Sequence, residues 1–219
     1  MLRGAARART RRRRKKAIAL YRWVLAVEPG NAEIHGKLAP LLAKSGQRFD
    51  AWVSFRRAAR GLAREGLTEK ALGIYREAAS SLPRQLETWL AIFELERQRG
   101  RDADAREALL KGRRHFRTRR LRPQAIYLLR RIRSIDPWEI EIVLDLARLL
   151  SKTHQQHEAQ MLLEELASRS QGRALRRARA TLLRMRPSIA NMWLWLHAAL
   201  LSRDGAPARL RASSARRGR

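Results

Sequence analysis

Apolar residues along the chain recur with the period of an α-helix, and the helical segments themselves recur at a fixed interval. In each segment an alanine is followed by a large residue four positions later, an apolar residue three positions after that, and a proline five positions further on. These spacings place the side chains on one helix face, and the proline ends the helix. The alanines are Ala17, Ala71 and Ala125, which are equally spaced (71 − 17 = 54 and 125 − 71 = 54).

The stretch after each proline repeats as well. Nine, twenty-two and twenty-six positions beyond the proline the sequence has a large apolar residue, an alanine and a second large apolar residue. Pro187 begins a fourth copy, in which Trp193 stands where the second copy has Trp89. Single glycines, which commonly end helices, separate the segments. The predicted helices span 32–44, 48–65, 67–81, 86–99, 102–119, 122–135, 139–152, 156–170 and 174–186, with a closing helix at 189–203.

A helix with one apolar face needs a neighbour to cover it, so successive helices are expected to stack and to share a continuous core. Small alanines permit close approach of two helices, and the large residues beside them fill the remaining space. The predicted repeat-packing residues are Ala17, Tyr21, Leu38, Ala51, Phe55, Ala71, Tyr75, Trp89, Ile92, Ala105, Leu109, Ala125, Leu146, Ala159 and Trp193. Residues 17–203 are expected to form this domain, and residues 1–16 and 204–219 are predicted to be basic, disordered tails.

The repeated pattern resembles the tetratricopeptide repeat. One stretch that matches the motif well runs Leu38-Ala39-x2-Leu42-x3-Gly46-x4-Ala51-x3-Phe55-x2-Ala58. The resemblance implies an all-α fold of antiparallel helical hairpins, stacked as a right-handed superhelical solenoid. It also implies a non-catalytic scaffold that mediates protein–protein interaction. Residues 48–65 match the second helix of the motif toward their start and the first helix toward their end, so two nominal repeats share one helix and together fill a single period of three helices.

In tetratricopeptide folds the first helix of each hairpin lines a concave groove, which the resemblance places four, seven, eleven and fourteen residues after each proline. The candidate groove residues are Glu33, Glu87, Leu90, Glu94, Glu141, Leu144, Arg148, Asn191 and Leu194. The resemblance thus implies an acidic to apolar groove that takes an apolar or basic segment of another protein. The groove lacks the clamp of lysine, asparagine and arginine with which some family members hold acidic peptide tails. Pro40 falls inside the first predicted helix and is expected to kink it or delay its start.

The formal net charge is +29, and the 49 basic residues are densest in residues 1–16, 111–133 and 166–219. The candidate polyanion contacts are Arg11, Arg12, Arg13, Arg14, Arg113, Arg114, Arg117, Arg119 and Arg120. These blocks leave two further hypotheses open: nonspecific binding of RNA or DNA, and attachment to an anionic membrane surface. Phe116 and Tyr127 are the only candidates for stacking on bases. A GC-rich coding background would explain the same arginine and alanine content without a function.

Residue patterns for catalysis and metal binding are missing from the sequence. The absence of cysteine excludes disulfides and thiolate chemistry. It fits a reducing compartment, or a protein to which the compartment makes no difference, and we predict a cytoplasmic location. No apolar run reaches the ~18 residues of a membrane span, and no glycine-rich phosphate loop is present. His154, His157 and Glu158 have ligand-like spacing, but His154 takes the place of Gly46 and Gly100, which indicates a surface turn. We predict no enzyme activity, no metal, no cofactor and no small-molecule substrate.

The tryptophans divide into predicted core residues and predicted contact residues. Trp89 and Trp193 occupy the large position of the first helix in the motif, which favours the core. Trp138 and Trp195 have no such position. They are candidates for exposed anchors, since tryptophan is enriched at binding hot spots.

Overall fold

A computed structural model describes residues 2–10 and 13–204. These residues form twelve α-helices and a short 3₁₀-helix, and they contain no β-strand. In chain order the helices are α1 Leu2–Thr10, α2 Arg14–Val27, α3 Ala32–Lys44, α4 Arg48–Arg64, α5 Thr68–Ser81, α6 Leu86–Gln98, α7 Asp102–Arg113, α8 Arg122–Arg133, α9 Ile140–Ser151, α10 Gln156–Arg169, α11 Gly172–Met185 and α12 Ile189–Asp204. The 3₁₀-helix, Arg119–Leu121, precedes α8. None of the described helices is long and apolar enough to cross a membrane.

The chain divides into two compact units, Met1–Leu128 (unit 1) and Leu129–Arg219 (unit 2). Within unit 1, helices α1 to α7 pack against their neighbours in chain order, and α3 also contacts α5. Within unit 2, helices α9 to α12 pack in the same way, and α9 contacts α11. Contacts between neighbouring and alternate helices are typical of stacked helical hairpins. The predicted all-α, tetratricopeptide-like fold is confirmed.

The starts of the helices follow the spacing of the sequence repeat. Helices α2, α5 and α8 begin at positions 14, 68 and 122, helices α3, α6 and α9 at positions 32, 86 and 140, and helices α4, α7 and α10 at positions 48, 102 and 156. Each series advances by the interval found in the sequence (68 − 14 = 54 and 122 − 68 = 54). The step from α8 to α11 is shorter by four (172 − 122 = 50), at the point where the sequence repeat also loses four residues.

The same tight turn ends α3, α4, α6 and α9. Its central residue has a positive φ, with values of 80° at Gly46, 76° at Gly66 and 70° at Gly100, a conformation that favours glycine. The N–H of the following residue donates to a carbonyl five positions back, at 2.9 to 3.2 Å. In the fourth turn the central residue is His154, with a φ of 62°. His154 therefore lies in a glycine-type surface turn, as its place in the repeat predicts.

The core is built from the alanines and large residues that the repeat marks. All of the predicted repeat-packing residues except Trp193 are buried. Those with no exposed surface include Ala17, Ala51, Ala71, Ala105, Ala125 and Ala159. The prediction of a core Trp193 is wrong, because 67% of this residue is exposed. It lies on α12, the last described helix, and no other described helix covers that face.

The proline turns before α3 and α6 are closed by equivalent hydrogen bonds from two different side chains. Trp89 Nε1 donates to the Pro83 carbonyl at 3.0 Å, and His35 Nε2 lies 2.9 Å from the Pro29 carbonyl. Because a carbonyl only accepts, His35 carries its proton on Nε2. Its Nδ1 is buried and has no hydrogen-bond partner among the described residues. Burial lowers the pKa of His35 from its ordinary value of 6.5, and the positive charge of Arg57 acts in the same direction.

We expect the free energy of unfolding to fall as the pH is lowered below about 6.5, because the unfolded chain then binds a proton that the folded His35 resists. The stabilisation is present above that pH and is lost progressively toward the folded pKa. Denaturant unfolding at about pH 7.5 and about pH 5.5 measures the effect. A His35→Gln variant, whose amide can still donate to Pro29, is expected to lose less stability between the two pH values. If wild type and His35→Gln lost the same free energy of unfolding between the two pH values, this role for His35 would be contradicted.

Helix α7 is shorter than predicted. It ends at Arg113, whereas the sequence pattern predicted a helix to position 119. The chain leaves the helix because Phe116 turns into the core, where only 1% of it is exposed. The arginines of residues 114–119 favour a helix, but His115, Phe116 and Thr118 do so less, and burial of the Phe116 ring favours the turn.

Two other segments also differ from the sequence predictions. Residues 2–10, predicted as part of a disordered tail, form α1, which packs against α2 and buries Ala5 and Ala8. Helix α3 begins at Ala32 and continues through Pro40, so the proline does not delay its start. Residues 205–219 of the second predicted tail lie outside the described residues.

Candidate protein-interaction site

A line of arginines runs along the outer face of α4, the helix that two predicted repeats share. It comprises Arg56, Arg57, Arg60 and Arg64, which we call the arginine row. Spacings of three and four residues keep these side chains on one side of the helix. The opposite side of α4 is buried, and Phe55 on that side has no exposed surface. Burial of one face of α4 therefore directs the arginine row outward.

Two open cavities border the arginine row and share Arg60 and Arg64. One, of about 310 Å³, also borders the turn at Pro29 and Gly30. The other, of about 580 Å³, extends from α4 past Tyr75 of α5 to α6. Its α6 wall consists of Ala91, Glu94, Leu95 and Gln98. We call the two cavities together the row channel, and its one acidic lining residue is Glu94, in the larger cavity.

The charge of the arginine row is not neutralised within the described part of the chain. None of its four guanidinium groups forms an ion pair with a described carboxylate. Arg56 lies over the ring of Trp52, 6.0 Å from the ring centroid. Arg60 lies close enough to the Tyr75 hydroxyl for its charge to act on that group. Burial raises the pKa of Tyr75, and the charges of Arg60 and Arg56 only partly oppose this effect. The ring of Trp52 thus contacts the Arg56 guanidinium group without removing its charge.

A glycine allows α4 to approach the start of α3 beneath the arginine row. A Cβ at Gly61 would lie 2.6 Å from the Cβ of Ala32, well inside the contact distance of two carbon atoms. Gly61 also lines the smaller cavity of the row channel. A side chain at this position would occupy the cavity and separate the two helices.

The residues predicted to line a groove are only partly available to a ligand. The exposed or half-buried ones are Glu33, Glu87, Leu90, Glu94, Arg148, Asn191 and Leu194. Glu94 borders the row channel. Glu33 forms an ion pair with Lys37 on its own helix, and the hydrogen bond from Lys37 lowers the pKa of Glu33.

In unit 2 the predicted groove position of Leu144 is wrong. Leu144 has no exposed surface, and the same holds for its neighbours Val143 and Leu146. Helix α9 is covered on two sides because both α10 and α11 pack against it. Glu141 is exposed but is paired with Arg177 of α11, and this hydrogen bond lowers the pKa of Glu141.

The arginine row is not among the predicted groove positions, because those positions are counted only from the prolines. The same offsets, applied to the first-helix register that begins inside α4, fall on Val53, Arg56, Arg60 and Ala63. The sequence does contain the pattern that identifies these positions, since residues 48–65 match both helices of the repeat motif. The face that α4 contributes is basic, whereas the predicted groove was acidic to apolar.

The candidate polyanion contacts lie in two places outside the arginine row. Around the end of α7 and the 3₁₀-helix, Arg114, Arg117, Arg119 and Arg120 are exposed and Arg113 is half-buried. At the start of α2, Arg13 and Arg14 are exposed, and Arg14 donates to the Lys44 carbonyl at 3.1 Å. Arg11 and Arg12 lie outside the described residues. Of the two aromatic candidates for base stacking, Phe116 is buried and Tyr127 is 47% exposed.

The other residues singled out in the sequence are potential metal ligands and tryptophans. No group of three potential metal ligands occurs among the described residues. Trp138 and Trp195, predicted as exposed anchors, are half-buried. The ring of Trp138 lies 4.4 Å from the guanidinium carbon of Arg169, a cation–π contact. The exposed tryptophan of unit 2 is Trp193.

No protein-family model and no curated protein sequence matches this chain. Among solved structures, it is similar to a thermophilic tetratricopeptide-repeat protein of Thermus thermophilus, with 17% identity, coverage of 95% of this chain and 91% of that chain, and a TM-score of 0.33. It is also similar to the C-terminal part of a repeat-containing protein of Cytophaga hutchinsonii (13% identity, 94% and 97% coverage, TM-score 0.34). A third is a tetratricopeptide-repeat protein of Parabacteroides merdae (13% identity, 95% and 93% coverage, TM-score 0.30). The chain's own hairpins, with glycine-type turns and buried alanines, have the tetratricopeptide-like fold.

Proposed function

We propose that this chain is a non-catalytic scaffold that binds an extended, acidic segment of another protein along the arginine row. The observation that carries this proposal is the presence of four guanidinium groups on one face of α4, without ion pairs among the described residues, beside a channel with apolar walls. Arginine binds carboxylates through two parallel hydrogen bonds, which give both affinity and orientation.

The spacing of the arginine row suits an extended peptide. At 1.5 Å per helical residue, Arg57 and Arg64 are about 10 Å apart along the helix axis. This is the length of about three residues of extended chain. Alternate side chains of an extended segment are about 6.6 Å apart, close to the rise of about 6 Å between Arg60 and Arg64. Acidic residues at alternate positions can therefore meet successive arginines.

The walls of the row channel favour a peptide over a nucleic acid. Single-stranded nucleic acids are held by aromatic rings on which bases stack, but Trp52 and Tyr75 are only 7% and 5% exposed. The apolar wall that includes Ala63 and Ala91 suits small side chains between the acidic ones.

A triple substitution of the arginine row tests this function. The probe is a short labelled peptide in which glutamate alternates with proline and valine, and fluorescence anisotropy measures its dissociation constant. We expect Arg57→Gln/Arg60→Gln/Arg64→Gln to weaken binding by about tenfold or more. Glutamine keeps much of each side-chain stem, so mainly charge is removed.

The matched control is Arg117→Gln/Arg119→Gln/Arg120→Gln, which also removes three exposed charges from unit 1. Its affinity for the peptide is expected to stay within about twofold of wild type. Equal losses from both triple variants would show nonspecific attraction and contradict the proposal. Tighter binding of single-stranded RNA than of the peptide, weakened by both variants, would favour the nucleic-acid hypothesis.

A further inference from the structure

Helix α12 presents an apolar stripe that no other described helix covers. Ile189, Trp193, Leu196 and Leu200 are 74%, 67%, 39% and 62% exposed, and their spacing places them on one face. We call these four residues the α12 stripe. The other side of α12 packs against α11, and Ala198 is only 2% exposed. An exposed apolar patch with this continuity marks an interaction surface.

The α12 stripe occupies a register that is buried in the three earlier hairpins. Six, nine and thirteen positions after the repeat proline, those hairpins have His35, Leu38 and Leu42, then Trp89, Ile92 and Glu96, then Val143, Leu146 and Leu150, none more than 7% exposed. Helices α4, α7 and α10 pack against these first helices. In the fourth copy the same positions are Trp193, Leu196 and Leu200. Helix α12 is therefore a first helix whose second helix is not among the described residues.

Residues 205–219 match the missing second helix poorly. In the second copy of the repeat, the small and large positions of the second helix are Ala105 and Leu109, which are fully buried. The corresponding residues of the fourth copy are Arg209 and Ser213. The fourth copy thus has a charged residue at the small position and a hydroxyl residue at the large one, which departs from the sequence pattern of the second helix.

The charge around the α12 stripe limits what can cover it. Between positions 170 and 203 the sequence has seven arginines and no aspartate or glutamate, and one of the seven, Arg177, is paired with Glu141. Arg184 and Arg186 lie beside the start of α12, where the Asn191 amide donates to the Arg186 carbonyl at 2.8 Å. Two copies of the chain meeting at this stripe would bring like charges together, whereas an acidic partner would pair with them.

We infer that the α12 stripe binds an amphipathic helix of a partner protein, in the place of the missing second helix. The helix has a small residue followed four positions later by a large apolar residue, and acidic residues toward its C-terminal end. Because the two helices of a hairpin are antiparallel, that end lies at the start of α12, beside Arg184 and Arg186. This surface does not depend on the arginine row.

A peptide of residues 155–170, which contains α10, is a suitable probe because it is itself a second helix. It has the small and large pair Ala159 and Leu163, and it has Glu164 and Glu165 near its C-terminal end. Anisotropy of the labelled peptide, titrated with the full chain, is expected to show saturable binding. Replacing both glutamates by lysine in the peptide is expected to weaken binding severalfold.

Variants of the full chain test whether the peptide binds at the α12 stripe. We expect Leu196→Gln/Leu200→Gln to weaken binding of the peptide at least about tenfold, and Trp193→Gln to weaken it in the same direction. The matched control is Trp23→Gln/Phe49→Gln, which removes two exposed apolar side chains of unit 1 that are 55% and 76% exposed. This control is expected to bind the peptide as wild type does. Circular dichroism checks that all variants keep their helical content.

Three results would overturn the inference. The first is absent binding, or binding that Leu196→Gln/Leu200→Gln leaves unchanged. The second is an equal loss in the Trp23→Gln/Phe49→Gln control, which would show nonspecific apolar adhesion. The third is a dimer in sedimentation equilibrium that Leu196→Gln/Leu200→Gln abolishes, which would make a second copy the occupant. The triple glutamine variant of the arginine row is expected to bind this peptide normally, so failure of one surface does not imply failure of the other.

Discussion

Gly112→Ala is expected to lower the free energy of unfolding by about 1–3 kcal/mol, as overpacking of a filled core does. A Cβ at Gly112 would lie 2.6 and 2.8 Å from two ring carbons of Trp89. The indole cannot move aside easily, because its Nε1 is held by the Pro83 carbonyl at 3.0 Å and its ring stacks on His115 at a centroid distance of 5.6 Å. The glycine therefore sets the distance between α6 and α7.

The matched control for this prediction is Gly73→Ala in the interior of α5, where an added Cβ meets nothing within 4 Å. Alanine is favoured over glycine in a helix, so this variant is expected to be more stable than wild type by about 0.5–1 kcal/mol. Chemical denaturation of the three proteins measures both effects. If Gly112→Ala were as stable as Gly73→Ala, the close contact with Trp89 would not exist in solution.

Glu96→Ala is expected to cost about 2–3 kcal/mol, because it removes the buried half of an ion-pair cluster and leaves a cavity. Glu96 is 1% exposed and accepts hydrogen bonds from Arg76 at 2.8 Å and Arg99 at 3.5 Å. Arg76 is 58% exposed and is rehydrated when the carboxylate is lost. Arg99, at 19% exposure, keeps its ion pair with the exposed Glu69 but loses its buried partner.

Glu96→Leu, by contrast, is expected to change stability by no more than about 1 kcal/mol, since buried ion pairs are often replaced by apolar residues at little cost. The repeat supports this expectation, because the equivalent positions one period earlier and later are Leu42 and Leu150, both buried. Unfolding of Glu96→Ala and Glu96→Leu under the same conditions is the measurement. Equal destabilisation by the two substitutions would show that the carboxylate itself is required at this position.

The repeat allowed much of the fold to be predicted from sequence, because each of its signals has a local physical cause. The turn after each first helix needs a residue with a positive φ, which is usually glycine. The repeat places His154 at this turn position, and His154 does have a positive φ. The small position of each hairpin needs an alanine, and Ala71 and Ala105 are indeed fully buried. Such rules depend on a few neighbouring residues and so can be recognised in a sequence.

The errors arise where burial depends on contacts that are distant in sequence. Phe116 ends α7 early because the core accepts its ring, which no helix propensity indicates. Leu144 is buried because α10 and α11 both pack against α9, although its distance from the repeat proline predicted an exposed position in the groove. Trp193 is exposed because no described helix packs against its face of α12. Periodicity identifies which face is apolar, but it does not show which faces find a partner.

The candidate site illustrates the same limit. The sequence pattern identified α4 as a helix shared by two repeats. Groove positions were not counted from the repeat that begins inside α4, although they include Arg56 and Arg60. Net charge alone was a poor guide, because it does not separate paired arginines such as Arg177 from unpaired ones such as Arg64. The distribution of ion pairs in the structure makes that distinction.

A charge-swap measurement tests the binding of an acidic segment by the arginine row most directly. Arg57→Glu/Arg60→Glu/Arg64→Glu is titrated with the glutamate peptide and with its lysine counterpart, at about 0.15 M salt. We predict that the variant loses the glutamate peptide and gains the lysine peptide, while wild type shows the opposite preference. If wild type and the variant bind the glutamate peptide equally, the arginine row is not the binding site.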